Sequence, residues 1–330
     1  MSTTRPLLFL WLIALLPFSS QGCGSSEGVS KRDPVNQFTV IKAPIYQFPS
    51  SAKVSVQNLG YPMNTAKDEY GPQFGPNGVW FYLSRGGNNT FDIYRSEVGS
   101  FTSPNFQIPL ERFSPPDRRI GGITFAGDGS RVVFVACNLT DGKGSCDLYE
   151  IEGYGTATAT SVNIDATNSV SWESSPVLSY DGNTLYFTSN AGSIPNSGGL
   201  EAHLAERDDS DIMVSKASEK GTWGIPIRLN SAINSGSNED TPFILQGDSI
   251  LYFCSDRPGG YGGKDLYVSF KKGDGSWGDP LNLGYPINTE ADERSFIVTP
   301  DGKGMYFASN RGGDTTKGKY DIYSVQLTTP

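Results

Sequence analysis

The feature that most constrains the fold of this chain is a short motif that recurs five times: Asp, then Ile or Leu, then Tyr or Met. The copies are Asp92-Ile93-Tyr94, Asp147-Leu148-Tyr149, Asp211-Ile212-Met213, Asp265-Leu266-Tyr267 and Asp321-Ile322-Tyr323. Neighbouring copies lie 54 to 64 residues apart, a period that is too long for most helical repeats and suits one β-propeller blade. The sequence therefore predicts a ring of repeated sheet units.

Each copy of the motif follows an aromatic-rich segment that is typical of a β-strand. These segments are Phe81-Tyr82-Leu83-Ser84, Val133-Phe134-Val135-Ala136, Tyr186-Phe187-Thr188-Ser189, Tyr252-Phe253-Cys254-Ser255 and Tyr306-Phe307-Ala308-Ser309. A turn such as Asp181-Gly182 precedes each segment and predicts a hairpin, because Gly accepts positive φ. A short segment such as Leu281-Asn282-Leu283 adds another strand. Each unit is thus predicted to contain four antiparallel strands, A to D.

The way in which the ring closes follows from the strand count. Residues Val54 to Thr65 copy the strand D region of the last repeat but precede the first strand A. We expect this segment to pair with the C-terminal strands, because that pairing removes free sheet edges. The count predicts an all-β fold with five blades, closed by an N-terminal strand. A sixth blade built from residues 37 to 48 stays an alternative.

The beginning of the chain predicts export. Residues 1–22 have a signal-peptide pattern, with Arg5 before the apolar run Leu7 to Phe18. That run is too short to span a bilayer as a helix. The following Ser19 to Cys23 resembles a lipoprotein signal, so Cys23 is a candidate lipidation site. Cleavage by ordinary signal peptidase after Gly22 is the alternative.

The remaining domain boundaries and the compartment follow from composition. Residues 23–52 begin with a stretch rich in Gly, Ser and charge, which is typical of a flexible tether, and residues 53–330 are assigned to the propeller. The expected location is the bacterial cell envelope, either lipid-anchored to a membrane or periplasmic.

Three further cysteines lie within the predicted propeller. Cys137 ends one predicted strand and Cys146 begins the next, so a disulfide across this hairpin is expected in an oxidising compartment. Cys254 lies in the apolar segment of the fourth repeat and is expected to be a small buried hydrophobic residue.

The repeat resembles the WD40-like repeat of TolB-type propellers, which also occurs beside OmpA-type domains in envelope proteins. The copy that carries the resemblance best consists of Trp277 to Thr289, Pro300-Asp301-Gly302, Tyr306 to Arg311 and Asp321-Ile322-Tyr323. The resemblance covers about Lys53 to Leu327. It implies a propeller in the cell envelope, while it constrains function much less.

Four glutamates occupy one equivalent position at the start of strand A: Glu69, Glu173, Glu239 and Glu293. Because strand A lines the central channel of a propeller, we expect these carboxylates around the channel mouth, where they form a candidate ligand-binding site. Like charges would raise one another's pKa, so a cation should balance them: a nearby Arg (Arg85, Arg257, Arg294 or Arg311), a metal ion or a basic peptide. The alternative is that each Glu is structural and bonds to loop backbone or to Arg.

The longest predicted loop, Asn190 to Ser210, belongs to the third repeat and contains the chain's one histidine. Loops of this length in a compact domain are usually functional or disordered. His203, Glu206 and Arg207 are therefore candidate residues of a partner-contacting loop. A solvated loop or a short helix is the alternative.

The sequence argues against several kinds of activity. A net charge of -9 would repel nucleic acid. Catalysis by a Ser-His-Asp triad would have to use His203, and the match to Gly-x-Ser-x-Gly lies in the tether, at Gly24 to Gly28. We find neither a His-Glu-x-x-His zinc motif nor a phosphate-binding loop.

We therefore expect a non-enzymatic binding scaffold without a cofactor, acting as a monomer. Its long-loop face would contact a protein or an envelope polysaccharide, and membrane contact would come only from an N-terminal lipid. The alternative is a glycan-cleaving or glycan-binding propeller that uses channel carboxylates, since two carboxylates at a defined separation are sufficient for glycoside hydrolysis.

Overall fold

The computed structural model describes residues 53–61, 63–76, 80–87, 90–97, 119–156, 158–192, 205–245, 247–299, 304–312 and 318–328. These residues form nineteen β-strands in five antiparallel sheets. The predicted all-β, five-bladed propeller is confirmed, and the six-blade alternative is wrong. In this described part, no helix has the length and apolar character needed to cross a membrane.

The strands of the first two blades follow chain order from the inside of the ring to the outside. Blade 1 contains β2 (Asp68–Phe74), β3 (Trp80–Gly87) and β4 (Thr90–Glu97) in the described part of the chain. Blade 2 contains β5 (Arg119–Phe125), β6 (Val132–Cys137), β7 (Cys146–Glu152) and β8 (Thr160–Asn163).

Blades 3, 4 and 5, like blade 2, are four-stranded. Blade 3 contains β9 (Glu173–Leu178), β10 (Thr184–Gly192), β11 (Ala205–Lys216) and β12 (Ile227–Arg228). Blade 4 contains β13 (Glu239–Ile244), β14 (Ile250–Ser255), β15 (Asp265–Phe270) and β16 (Leu281–Asn282). Blade 5 contains β17 (Glu293–Val298), β18 (Met305–Ser309), β19 (Asp321–Thr328) and the N-terminal β1 (Lys53–Asn58).

The N-terminal strand closes the ring as the strand count predicts. β1 pairs with β19 in antiparallel fashion, from Lys53 opposite Thr328 to Asn58 opposite Tyr323. Val54 and Val56 alternate along β1 and pack against the buried cluster of blades 4 and 5. This strand therefore contributes both backbone hydrogen bonds and apolar contacts to the last blade.

The second strand of each blade carries most of the core. All six residues of β6 and all six of β14 are buried, because this strand lies in the middle of its sheet and packs against neighbouring blades on both faces. Phe187, Phe253 and Phe307 are among the largest fully buried side chains. The aromatic segments recognised in the sequence are thus the strands on which the blades pack.

Every innermost strand contains a β-bulge at the same repeat position. The bulged residues have positive φ in all five blades: Gly71 (55°), Gly122 (55°), Ser175 (49°), Thr241 (48°) and Ser295 (55°). Neighbouring blades satisfy several bulged amides: the N–H of Thr241 donates to the hydroxyl of Thr188, and that of Ser295 to the hydroxyl of Thr241. A non-glycine residue in this conformation costs about 1 to 3 kcal/mol, so the surrounding blades must hold it there.

Four connections between blades in the described part of the chain share a buried asparagine. Each Asn accepts a hydrogen bond from the N–H, and donates one to the C=O, of a single residue in the third strand of the preceding blade, at 2.7 to 2.9 Å. The pairs are Asn64 with Ile322, Asn168 with Leu148, Asn234 with Ile212, and Asn288 with Leu266. The side chain imitates a strand backbone and fixes each connection to the blade before it.

Removing one of these side chains should destabilise the whole ring. In Asn288→Ala, the N–H and C=O of the buried Leu266 lose their partners, at a cost of about 2 to 4 kcal/mol in the free energy of unfolding. The exposed Asn183, replaced by Ala, is the control and should change that free energy by less than about 0.5 kcal/mol. Urea unfolding measures both variants, and equal losses in the two would contradict this account.

Candidate functional site

The four repeated glutamates are buried at the start of the innermost strands, and their side chains are at most 1 % exposed. Each carboxylate accepts hydrogen bonds from the backbone N–H and the hydroxyl of the Thr or Ser four residues earlier. The pairs are Glu69 with Thr65, Glu173 with Ser169, Glu239 with Ser235, and Glu293 with Thr289. The carboxylates thus close the connection that leads into their own blade.

The same carboxylates also bind the second strand of their blade. In blades 4 and 5, Ser255 and Ser309 donate to Glu239 and Glu293 at 2.7 and 2.9 Å. Arg257 also donates to Glu239, at 3.2 Å, and to two backbone carbonyls of the preceding connection. These bonds occupy the carboxylates with hydroxyls and guanidinium groups of their own repeat.

Blades 1 and 3 vary this arrangement. Arg85 donates to Glu69 at 2.8 Å and to the carbonyl of Met63. Glu173 receives the Ser189 hydroxyl at 2.8 Å, but Ala191 stands where blades 4 and 5 have the arginine. Burial raises the pKa of Glu69 and of Glu173, and the hydrogen bonds to each carboxylate oppose that shift only in part.

We expected these glutamates around the channel mouth, but none of them lines the central cavity described below. Arginine and hydroxyl groups supply the balance that like charges were expected to need. Among the described residues, no three His, Cys, Asp or Glu side chains are grouped so that they could hold a metal ion.

The predicted long loop of blade 3 is partly strand. β10 and β11 continue their pairing beyond a bulge, with Ala191 opposite Glu206 and Gly192 opposite Ala205, since a continuing ladder satisfies the backbone that a loop would leave to solvent. Glu206 and Arg207 thus belong to β11. His203 and the candidate lipidation residue Cys23 lie outside the described residues.

Cys137 and Cys146 form a disulfide between the end of β6 and the start of β7. Cys254 is fully buried, as expected for a small apolar residue, but its thiol donates a hydrogen bond to Asp240. Burial, followed by the charge of Asp240, raises the pKa of this thiol. The cysteine is therefore a neutral partner of a carboxylate as well as a core residue.

A cavity of about 310 Å³ lies at the centre of the ring, among the bulges. All five innermost strands contribute to its wall, with Tyr70 to Gln73, Gly121 to Ile123, Ser174 to Val177, Thr241 to Phe243 and Arg294 to Ile297. The residue that follows the glutamate position differs in every blade: Tyr70, Gly121, Ser174, Asp240 and Arg294. The cavity wall is thus the place where the repeats diverge.

A cluster of charged and phenolic groups from blades 1, 4 and 5, which we call the polar cluster, reaches the cavity at Tyr70 and Arg294. Its members are Asp68, Tyr70, Asp240, Lys264, Asp292, Arg294 and Tyr320. From the sequence, Arg294 was predicted only as one possible counterion, and the other members were not predicted. The residue after the glutamate position differs between repeats, and that difference could have indicated the site.

The contacts within the polar cluster are specific. The Tyr70 hydroxyl donates to Asp68 at 3.2 Å, and the Tyr320 hydroxyl donates to Asp292 at 2.8 Å. The ammonium of Lys264 donates to Asp240. The guanidinium of Arg294 lies 4.0 Å from Asp292 and 5.5 Å from the Tyr320 ring centre. Two carboxylates of the polar cluster, Asp240 and Asp292, therefore have different surroundings, and neither is among the residues that line the cavity.

The electrostatics of the polar cluster keep its cations charged. Burial by itself would lower the pKa of Lys264 and of Arg294. Nearby groups that include Asp240 and Cys254 outweigh this effect, so the pKa of each cation lies above its usual value. Burial raises the pKa of Tyr320 to about 12, so the phenol is a neutral hydrogen-bond donor near neutral pH. Such a wall can bind polar ligands and stabilise negative charge.

Comparison with protein-family models finds no match, and comparison with curated proteins finds none either. Solved structures share the fold. One described as a glycoside hydrolase has a TM-score of 0.52 and 11 % identity, over 82 % of this chain and 89 % of its own. An α-L-arabinofuranosidase from Lactobacillus brevis has a TM-score of 0.49 and 13 % identity, over 81 % and 92 % of the two chains. Similarity at this level of identity shows the fold alone.

These neighbours correct the sequence-based assignment. The solved structures that share the fold include a glycoside hydrolase, so the prediction of a TolB-type, non-enzymatic scaffold is wrong, and its lipoprotein character has no support. The physical reason is that the motifs which carried the resemblance specify turns and packed strands of a blade. Those features recur in propellers of different function.

The structural role of the glutamates predicts unequal effects of neutralisation. Glu239→Gln leaves the largely buried Arg257 without its carboxylate and should cost about 3 to 5 kcal/mol in the free energy of unfolding. Glu173→Gln breaks no arginine pair, and the Ser hydroxyls around it can rotate to bond an amide, so about 1 kcal/mol is expected. Urea unfolding compares the two, and equal losses would contradict the assignment.

Glu173 also predicts a pH dependence. Burial raises the pKa of Glu173 in the folded state above the ordinary value of 4.5, so its contribution to stability is fully present below that value and is lost as the pH rises through the folded-state pKa. The free energy of unfolding of the wild type, relative to Glu173→Gln, should therefore be larger at pH 4.5 than at pH 7. A difference that is constant over this range in urea titrations would refute the raised pKa.

Proposed function

We propose that this protein binds a glycan at the centre of the propeller and hydrolyses a glycosidic bond there. The observation that carries this proposal is the central cavity, which the polar cluster reaches at Tyr70 and Arg294. The cavity of about 310 Å³ is at the small end of ligand sites in proteins, which suits one sugar unit at the end or side of a chain. The solved structure with a TM-score of 0.52, which is described as a glycoside hydrolase, supports the same conclusion.

The lining of the cavity has the mixed character that a sugar requires. Sugar rings present apolar C–H faces together with hydroxyl groups. Tyr70 and Phe243 provide aromatic surface, while Gln73 and Ser174 provide polar groups. Ligand sites of this kind combine a mainly apolar wall with a few placed polar groups.

Hydrolysis of a glycosidic bond needs two carboxylates in different environments. Asp240 contacts Lys264 and the Cys254 thiol, whereas Asp292 accepts from the Tyr320 hydroxyl and from the backbone N–H of Lys264. Both lie one or two residues from cavity-lining residues, namely Thr241 and Arg294. We assign this pair to the reaction, in place of the repeated glutamates.

The place of action is a second part of the proposal. The apolar run from Leu7 to Phe18 and the disulfide between Cys137 and Cys146 both fit a protein that works in an oxidising compartment outside the cytoplasm. A polysaccharide of the cell envelope or the surroundings, predicted from the sequence as a partner, becomes the substrate.

The proposal predicts a measurable activity. The purified full chain should release reducing ends from one or more members of a panel of neutral and acidic polysaccharides. Asp240→Asn and Asp292→Asn should each lower the rate by about 100-fold or more, which is the usual effect of losing a carboxylate that transfers a proton. Asp274→Asn is the matched control, because Asp274 is exposed in the turn between β15 and β16, on the opposite face from the polar cluster.

Two checks make this test decisive. Circular dichroism establishes that each variant is folded, and calorimetry shows whether the Asn variants still bind the glycan that the wild type cleaves. The absence of bond cleavage in every glycan of the panel would contradict the proposal, as would an equal loss of rate in Asp274→Asn.

A further inference from the structure

Arg294 differs from the other arginines of the repeat in what its guanidinium binds. Arg85, Arg257 and Arg311 each donate to a repeated glutamate and to backbone carbonyls. Arg294 follows its glutamate directly and lines the cavity instead. At the equivalent position, the other blades have Tyr70, Gly121, Ser174 and Asp240.

The donors of Arg294 are not saturated by the protein. The nearest Asp292 oxygen is 4.0 Å from Nη2, which is longer than a hydrogen bond. The Nε atom is buried without a hydrogen-bond partner among the described residues, and the guanidinium packs over the Tyr320 ring. The Arg294 side chain is 33 % exposed and lines the cavity, so its terminal nitrogens can reach a ligand there.

The described lining of the cavity carries a positive charge, although the chain has a net charge of -9. Among the described residues that line the cavity, Arg294 alone carries a formal charge. The neighbouring carboxylates do not line the cavity and have other partners: Asp68 accepts from the N–H of Lys319, Asp240 from Lys264, and Asp292 from the Tyr320 hydroxyl, with one Asp292 oxygen 4.0 Å from Arg294. An anion that enters the cavity therefore meets a cation first.

The chemistry of this cation selects the kind of anion. A guanidinium matches a carboxylate in a planar arrangement with two parallel hydrogen bonds. One Arg balances one negative charge, whereas a phosphate dianion would leave excess negative charge beside Asp240 and Asp292. A sugar that carries a single carboxylate, a uronic acid, fits both the size of the cavity and its charge.

We infer that the glycan unit held in the central cavity is a uronic acid, and that Arg294 binds its carboxylate. This inference rests on the proposed glycan binding and specifies its substrate class. Arg294 is then the residue that separates acidic from neutral glycans, while the aromatic lining and the polar side chains bind either class.

The test measures binding by calorimetry, using oligogalacturonides and glucuronic-acid disaccharides against the corresponding galactose and glucose oligosaccharides. The wild type should prefer the acidic ligands, and added salt should weaken that preference. Arg294→Gln should weaken acidic binding by about 10- to 100-fold, the usual effect of losing a charge-assisted hydrogen bond, and should weaken neutral binding much less. Arg294→Lys keeps the charge but not the paired geometry and should give an intermediate loss.

A matched control and a fold check accompany these variants. Lys272→Gln removes one exposed positive charge in the turn between β15 and β16, on the face opposite the polar cluster, and should leave both classes of binding unchanged. Thermal unfolding establishes that Arg294→Gln is folded, and Arg294→Lys carries the test if it is not.

The outcomes separate this inference from the proposed function. Binding or cleavage of neutral glycans without any preference for acidic ones would overturn the uronic-acid inference and leave the proposed function standing. A preference for acidic glycans that persists in both Arg294 variants would overturn the role of Arg294. Failure of every glycan to bind or be cleaved would overturn the proposed function itself.

Discussion

The fold depends on buried polar side chains that join each inter-blade connection to the blades on both sides. Asn288 bonds both backbone groups of Leu266 in blade 4, and Glu293, five residues later, receives the Ser309 hydroxyl in blade 5. Such groups are costly to leave unpaired in an apolar interior. These bonds therefore fix the angle between neighbouring blades, and they use the hydrogen-bonding capacity of the repeated carboxylates.

This use of the repeated residues leaves function to positions where the repeats differ. The bulge in each innermost strand sets the backbone at the ring centre, and the residue between the glutamate position and the bulge varies from Tyr70 to Arg294. A symmetric frame thus carries an asymmetric wall, with charge gathered on the side of blades 1, 4 and 5. β-Bulges commonly redirect side chains in this way next to binding sites.

The architecture could be predicted from the sequence, and the site could not. Turns, aromatic strands and the copy of strand D in β1 are local patterns, so the number of blades and the closure followed from them. The glutamates were placed around the channel mouth because strand A lines the channel of a propeller. The bulges that follow them, with positive φ at Thr241 and Ser295, have no sequence signature outside Gly. The spacing Asn-Thr-x-x-x-Glu, as at Asn288 to Glu293, was visible and indicates a closed turn. The resemblance to TolB-type propellers did not predict the function, because its motifs specify the strands and turns of a blade and not the residues of the cavity.

The central claim is that the ring centre, rather than the outer loops or the repeated glutamates, holds a sugar. A crystal structure of the protein soaked with a short oligogalacturonide tests it most directly. The account predicts a sugar ring in the cavity of about 310 Å³, with its carboxylate within hydrogen-bond distance of Arg294 and its glycosidic oxygen towards Asp240 and Asp292. A sugar bound only at the outer strands, with the central cavity holding water alone, would contradict it.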